Sequence, residues 1–184
     1  MEVLRKKNLP IKLIIGAGET KQSNWISTDK MNLNILNKSD FDKFFFKNEI
    51  TNIIAEHVFE HLTLDEGLIA IKNFEEYLLK GGRIRIAVPD GFFPKKEYIE
   101  YVKPGGCGPG AEDHKILYNY NNIQKLFDDK FKIEFLEYFD ESGVLKTRDW
   151  KVSDGFVSRS VNYDERNINK VEYTSLIIDA VKIN

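Results

Sequence analysis

The stretch from Lys12 to Asp29, KLIIGAGETKQSNWISTD, constrains the fold more than any other part of the chain. Leu13-Ile14-Ile15 is an apolar run suited to a short strand buried on both faces. It breaks at Gly16-Ala17-Gly18, where glycines permit a sharp turn and leave main-chain N–H groups open to a ligand. Trp25-Ile26-Ser27-Thr28 follows as a second short strand, closed by Asp29. A carboxylate there can take both hydroxyls of a ribose, as the acid after the second strand does in nucleotide-binding α/β folds. The pattern is not the dinucleotide fingerprint. Lys21 stands where a third glycine would fall, and Asp29 comes 11 residues after Gly18 rather than about 20 after the glycines. Little room is left for a full crossover helix, so NAD and FAD are discounted and half of a nucleoside site remains.

Beyond this stretch, apolar runs and helical patterns alternate. Leu33-Asn34-Ile35-Leu36 alternates like a short strand, and Ser39 or Asp40 can cap a brief helix over residues 41–47. Ile50 to Ala55 reads as another buried strand, ending at Glu56-His57. Leu64, Leu68, Ile71, Phe74, Tyr77 and Leu78 share one face of a helix that Lys80-Gly81-Gly82 stops. Arg83 to Val88 alternates as a strand and ends at Pro89-Asp90. Asn121 to Phe127 reads as the last helix, and Phe131 to Phe139 and Tyr173 to Val181 as two more strands. This order predicts an α/β fold with a mostly parallel sheet and crossover connections. One domain over 1–184 is expected, with a loop-rich lid or substrate segment around 91–120 and a polar insertion around 141–172.

Composition narrows the class. The 42% hydrophobic and 12% aromatic content are values of a folded globular chain. A net charge of −2, with both signs interspersed, offers no broad field for nucleic acid or an anionic membrane. Cys107 is the single cysteine, which excludes an internal disulfide and fits a reducing compartment. Neither a signal-peptide core nor a membrane span stands out, so a cytoplasmic protein is expected, with its oligomeric state open.

At AEHVFEHL (55–62) and LLKGGRIRIAVPD (78–90) the chain resembles class I S-adenosylmethionine-dependent methyltransferases. It is similar in particular to a bacterial group of predicted methyltransferases that combine a glycine turn, a GWIN-D-like second strand, an EH-x-x-EHL block and KPGG-x-x-R-I-x-x-PD. Those motifs stand here as IIGAG, NWISTD, EHVFEHL and LKGGRIRIAVPD, with SRSVNYDERN and YTSLIIDAVK fitting the tail. The resemblance implies a Rossmann-like sheet of seven strands, the last antiparallel, with helices on both faces and here a shortened first crossover. It implies S-adenosylmethionine as cofactor. Gly16, Ala17 and Gly18 would turn around its methionine portion, and Asp29 would hold the ribose. Asn37, with Asp40 as a rival, would flank the adenine, and Glu56 and His57 would lie beside the sulfonium. The chain departs from the family pattern at Ile14, where many members carry an acid, and at Glu19, where a small residue is usual.

For methyl transfer, His57, Asp90 and His114 are the candidate bases, because all three fall at predicted strand ends or in the middle loop. Tyr98, Arg159, Tyr163 and Arg166 are candidates for binding an anionic, sugar-like or other small acceptor. A degenerate relative that binds a nucleoside without turnover, serving as a partner protein, is the alternative. A third reading comes from His57-x-x-Glu60-His61, the inverted zinc-protease signature, with His114 or Glu112 as a further ligand. That motif directly follows an apolar strand instead of lying inside an amphipathic helix, so no metal is assigned.

Overall fold

A computed structural model describes all 184 residues. Its framework is β1 (Ile11–Ile15), β2 (Ile26–Ser27), β3 (Ile50–Glu56), β4 (Leu78–Pro89), β5 (Phe131–Phe139), β6 (Leu145–Thr147) and β7 (Ser175–Lys182). Four α-helices accompany them: α1 (Glu2–Lys6), α2 (Lys38–Phe44), α3 (Leu64–Tyr77) and α4 (Lys96–Val102). The strands form one sheet in the order β2-β1-β3-β4-β7-β5-β6. Pairings among β1 to β4 are parallel, and β7 runs antiparallel between β4 and β5. The carboxyl ends of β1 and β3 therefore open at the same edge, where ligands bind in open α/β sheets.

Apolar strands bury both faces unequally. The larger core contains Leu13, Ile53, Ile84 and Ile178 from the sheet, packed with Phe41 of α2 and Phe74 and Tyr77 of α3. Helix α3 starts with a capping box in which Thr63 and Glu66 satisfy each other's backbone donors. The opposite face presents Ile14, Ile54, Ala87 and Ile177 to Trp25, Trp150 and Val157. Only one helical turn, Val152–Asp154, lies in that covering segment. Where the resemblance implies helices on this face, the polar insertion supplies most of the cover. Buried Arg85 on β4 holds it, donating to the Lys151 and Gly155 carbonyls while pairing with Asp179 on β7.

The first crossover, residues 16–25, contains no helix. Leu33 to Leu36 forms no strand: Leu33 and Ile35 are buried, but the Asn34 and Asp40 side chains take the local N–H groups, and Asn73 donates to the Ile35 carbonyl. Asn37, rather than Ser39 or Asp40, caps α2. Helix α3 ends at Tyr77 and runs directly into β4, so Lys80-Gly81-Gly82 does not terminate it. Those residues form an irregularity where pairing jumps from Ile50 with Leu78 to Asn52 with Arg83, and Gly81 has φ +81°. The helix expected over 121–127 is a single 3-10 turn, Ile123–Leu126. The loop-rich middle segment contains α4, and β6 lies in the polar insertion. No helix is long and apolar enough to cross a membrane.

Candidate active site

The carboxyl ends of β1 and β3 open into two adjoining hollows that share Ile15, Gly16, His57 and His61. One, about 330 Å³, is bordered by Asp29, Lys30, Asn34, Leu36 and Leu62. The other, about 440 Å³, lies toward β4 and β7 and is bordered by Ala17, Glu56, Glu60, His114, Arg159 and Tyr173. Gly16 stands at their junction with φ +61°, and a Cβ there would lie 2.6 Å from Val58 Cγ2. Only glycine fits this bend without strain. Asp29 Oδ1 accepts from the Met31 and Asn32 amides, which fixes the carboxylate and leaves Oδ2 open.

In the larger hollow, His57 adopts φ +55°, an uncommon conformation for a residue with a side chain, and its amide donates to the Ala87 carbonyl. This places its ring between two groups: Nε2 is 3.0 Å from Ser175 Oγ and Nδ1 is 3.0 Å from Glu60 Oε1. The latter pair is close without being aligned as a hydrogen bond, and neither Glu60 oxygen has a hydrogen-bond partner although the residue is only 1% exposed. His114 Nδ1 is 2.6 Å from the Val102 carbonyl, and its ring stands edge-on to that of His61 at 4.7 Å. Glu56 accepts from the Ser158 hydroxyl and from the Ser158 and Arg159 amides, tying the polar insertion to the end of β3. The Arg159 guanidinium makes no ion pair or hydrogen bond. Arg166, by contrast, is held by both oxygens of Asp164 and lies 3.6 Å over the Tyr173 ring.

No established family model matches the chain. It is 30% identical over 131 residues to an uncharacterized methyltransferase of Bacillus thuringiensis (strain Al Hakam), a match covering 66% of this chain and 60% of that one. It is 32% identical over 108 residues to another from Bacillus mycoides (strain KBAB4), covering 54% and 50%. The chain thus spans about 60% of the length of the first of these relatives. Among solved structures, a Thermotoga maritima protein described as a SAM-dependent methyltransferase, possible histamine N-methyltransferase, superposes with a TM-score of 0.54 at 11% identity, covering 98% of this chain and 86% of that one. A Mesorhizobium loti S-adenosylmethionine-dependent methyltransferase gives 0.54 at 8% identity, covering 98% and 96%. The fold is that of a class I S-adenosylmethionine-dependent methyltransferase.

Within this methyltransferase fold, the residues anticipated from sequence divide into two sets. Gly16, Ala17, Asp29, Glu56, His57, His114, Arg159 and Arg166 all border the hollows. Gly18 turns outward past the glycine bend, and Asn37 and Asp40 are engaged around the start of α2, leaving Asn34 and Leu36 to border the smaller hollow. Asp90 is fully buried outside the cleft, accepting from the Phe92 and Phe139 amides, and burial pushes its carboxyl up to about 6. It fastens β4 to β5 and reaches no acceptor. Tyr98 is buried behind the cleft, where its hydroxyl accepts from the Asp90 amide and donates to the Thr174 carbonyl. Tyr163 packs edge-on against Trp150 and Phe156 and lies outside both hollows. Sequence reasoning did not single out Ser175 or Tyr173 as site residues, because each reads as an ordinary position at the start of a strand.

His57 and His61 do not share a helical face. A 3-10 turn, Phe59–His61, occupies the motif, and His57 precedes it in the left-handed region. The metal-ligand set written by His57-x-x-Glu60-His61 is therefore not assembled, and Glu112 is exposed.

Proposed function

We propose that this protein transfers the methyl group of S-adenosylmethionine to a small acceptor, anionic or glycan-like, held in the larger hollow. The observation that carries the reading is the groove running from Asp29 past Gly16 to His57 across the ends of β1 and β3. Its glycine bend, which the left-handed backbone and the Val58 side chain reserve for glycine, puts Gly16 backbone on the lining of both hollows. The cofactor would supply an electrophilic methyl on a cationic sulfur. Asp29 Oδ2 would accept from the ribose hydroxyls, Asn34 and Leu36 would border the adenine, and Glu56 would add negative charge near the sulfonium. Ile14 contributes an apolar wall where many methyltransferases place an acid, so the donor's amino group would rely on main-chain oxygens here.

His57 is the base this reading assigns. Its ring borders the hollow with Nε2 3.0 Å from the Ser175 hydroxyl and Nδ1 3.0 Å from Glu60, and an acceptor hydroxyl or amine displacing Ser175 at Nε2 would pass its proton there. Arg159, with no partner of its own, would meet an anionic group of the acceptor, while Arg166 is already neutralised by Asp164. Segment 91–120, which brings Tyr101 and His114 to the rim, acts as the lid of this hollow. Orientation and proximity supply most of the rate, up to about 7–11 kcal/mol of the barrier.

The test is binding followed by turnover. S-adenosylhomocysteine at about 100 times its Kd adds roughly 2.7 kcal/mol, seen as a rise of about 5–10 °C in Tm for a domain of this size. The rise is abolished in Asp29→Ala, and labelled methyl from S-adenosylmethionine appears in an acceptor pool. No shift with either nucleoside refutes the assignment. Binding without transfer to any pool would support the non-catalytic relative.

A further inference from the structure

We propose that Glu60, His61 and His114 form a binding site for one divalent transition-metal ion of the zinc class, with an open coordination position facing the acceptor hollow. Ion binding stands independently of the methyl-transfer reading; only the identity of the group filling the open position rests on it.

The ligating atoms of these residues lie within 4.8 Å of one another. Ligands at about 2.0–2.2 Å from one tetrahedral ion stand roughly 3.4 Å apart, so small side-chain rotations complete the set. Glu60 supplies the strongest argument. Its carboxylate is buried, yet neither oxygen accepts an aligned hydrogen bond. Its one close polar neighbour, His57 Nδ1 at 3.0 Å, is not aligned as a hydrogen bond, and a buried carboxylate so poorly satisfied is costly to keep unless a cation joins it.

The two imidazoles are prepared for ligation. A carbonyl only accepts, so the 2.6 Å contact with Val102 O places the proton of His114 on Nδ1 and leaves Nε2 with a free lone pair. His61 Nδ1 is 3.5 Å from Asp113 Oδ2, which favours the same tautomer. An imidazole oriented by a carbonyl or carboxylate on its far nitrogen is the usual state of a metal-bound histidine. The backbone brings the ligands together as well: the Lys115 and Ile116 amides both donate to the Glu60 carbonyl, locking the segment that carries His114 onto the turn after β3. Two imidazoles and one carboxylate suit zinc, iron, cobalt or nickel rather than magnesium or calcium. Three protein ligands leave a fourth position, and all three residues border the hollow assigned to the acceptor. An oxygen or nitrogen donor of the acceptor would fill it.

This set differs from the one the motif spacing suggested. His57 drops out because its left-handed backbone turns it toward Ser175, and His114 enters from a loop more than 50 residues on.

The experiment uses untagged protein stripped with a chelator and dialysed against Zn²⁺, with bound metal counted by elemental analysis. Co²⁺ serves as a spectroscopic substitute. The expected result is one equivalent in the parent protein and visible bands of four-coordinate Co²⁺. His61→Ala, His114→Ala and Glu60→Gln each weaken uptake by more than the roughly 10–100-fold that loss of an orienting partner costs. Asp29→Ala and His57→Ala retain the ion. Circular dichroism and cooperative melting confirm that each variant is folded. Less than stoichiometric uptake by the parent protein overturns the proposal, as does uptake indifferent to His114→Ala, which would mark adventitious surface binding. S-adenosylhomocysteine binding, read on the same samples, separates the two assignments. Zinc uptake without nucleoside binding leaves the metal site standing and removes the methyltransferase reading. If the parent protein takes no metal and Glu60→Gln loses the nucleoside, the carboxylate belongs to the sulfonium end of the donor site.

Discussion

Removal of the Asp179 carboxylate should be among the most damaging single changes this chain can suffer. Asp179 on β7 receives Arg85 in a two-pronged contact, Nε to Oδ1 and Nη2 to Oδ2, both at 2.8 Å, and also receives Arg83 at 2.6 Å. Arg85 is fully buried, and its remaining donors hold the Lys151 and Gly155 carbonyls. In Asp179→Ala the Arg85 guanidinium keeps those carbonyls and the Trp150 ring, 4.7 Å away, but has no counter-charge. Breaking one side of a buried pair costs about 3–5 kcal/mol. At roughly 2–4 °C per kcal/mol for a domain of this size, Tm should fall by about 6–20 °C. The assay is urea and thermal unfolding followed by circular dichroism, with the double variant Arg85→Met/Asp179→Leu alongside. Removing both charges together should cost far less than Asp179→Ala, because an apolar pair of similar volume often matches or exceeds a buried ion pair. A cost below about 1 kcal/mol for Asp179→Ala, against the 3–5 kcal/mol expected, would refute the argument. The insertion would then be held mainly by Trp150 and Val157 packing and by the Glu56 contacts with Ser158 and Arg159.

Three further outcomes follow from the geometry. Asp90 has a carboxyl raised to about 6 by burial, above the ordinary value near 3.9, so the folded state binds its proton more tightly than the unfolded chain. Its burial cost is therefore absent below about pH 4 and fully present above about pH 6, and measured against Asp90→Asn the parent protein should lose about 3 kcal/mol of stability between those values; a flat difference across that window refutes it. Gly16→Ala should cost about 2–4 kcal/mol in urea unfolding, from the left-handed backbone and the overlap with Val58, and should remove the S-adenosylhomocysteine shift. His57→Ala should lower kcat about 10²–10⁴-fold while leaving nucleoside affinity within a few-fold, and equal loss of both would demote His57 from base to packing residue.

Much of this architecture could be read from the chain because buried parallel strands write themselves as apolar runs. Ile50 to Ala55 was recognisable for that reason, Arg83 to Val88 by its alternation, and the bend after β1 by its two glycines. Misreadings came where side chains replaced the usual backbone logic. Leu33 to Leu36 alternates because two residues are buried, yet Asn34, Asp40 and Asn73 satisfy its backbone, so no partner strand is needed. Tyr98 looked available because it lies in a loop-rich stretch, whereas α4 turns it inward beneath the cleft. Asp90 follows a strand, as catalytic acids often do, but its oxygens are spent on two amides. Glu60 was visible only as the acid of a zinc-protease signature. Its real distinction, a buried carboxylate with no aligned hydrogen bond, depends on the 3-10 turn, and its place in a cluster depends on His114 arriving from a distant loop.

The two ends of the sheet bear on how this chain survives at high concentration. Unpaired strand edges are templates on which a second chain can add, and long apolar ones invite aggregation. Here the sheet closes on one side with β2, two residues long, and on the other with β6, three residues that include Lys146 and Thr147. The long apolar strands β1, β3, β4 and β7 are all interior. The two-residue β2 offers a would-be partner chain scarcely one hydrogen-bonding repeat to grip. By contrast, β6 covers only Glu137 to Phe139 of β5 and leaves Phe131 to Phe135, with the charged Lys132 and Glu134 among them, as the longer open edge. Insertions that lengthen β2 toward Trp25 or β6 toward Val144 would extend that grip and seed edge-to-edge association.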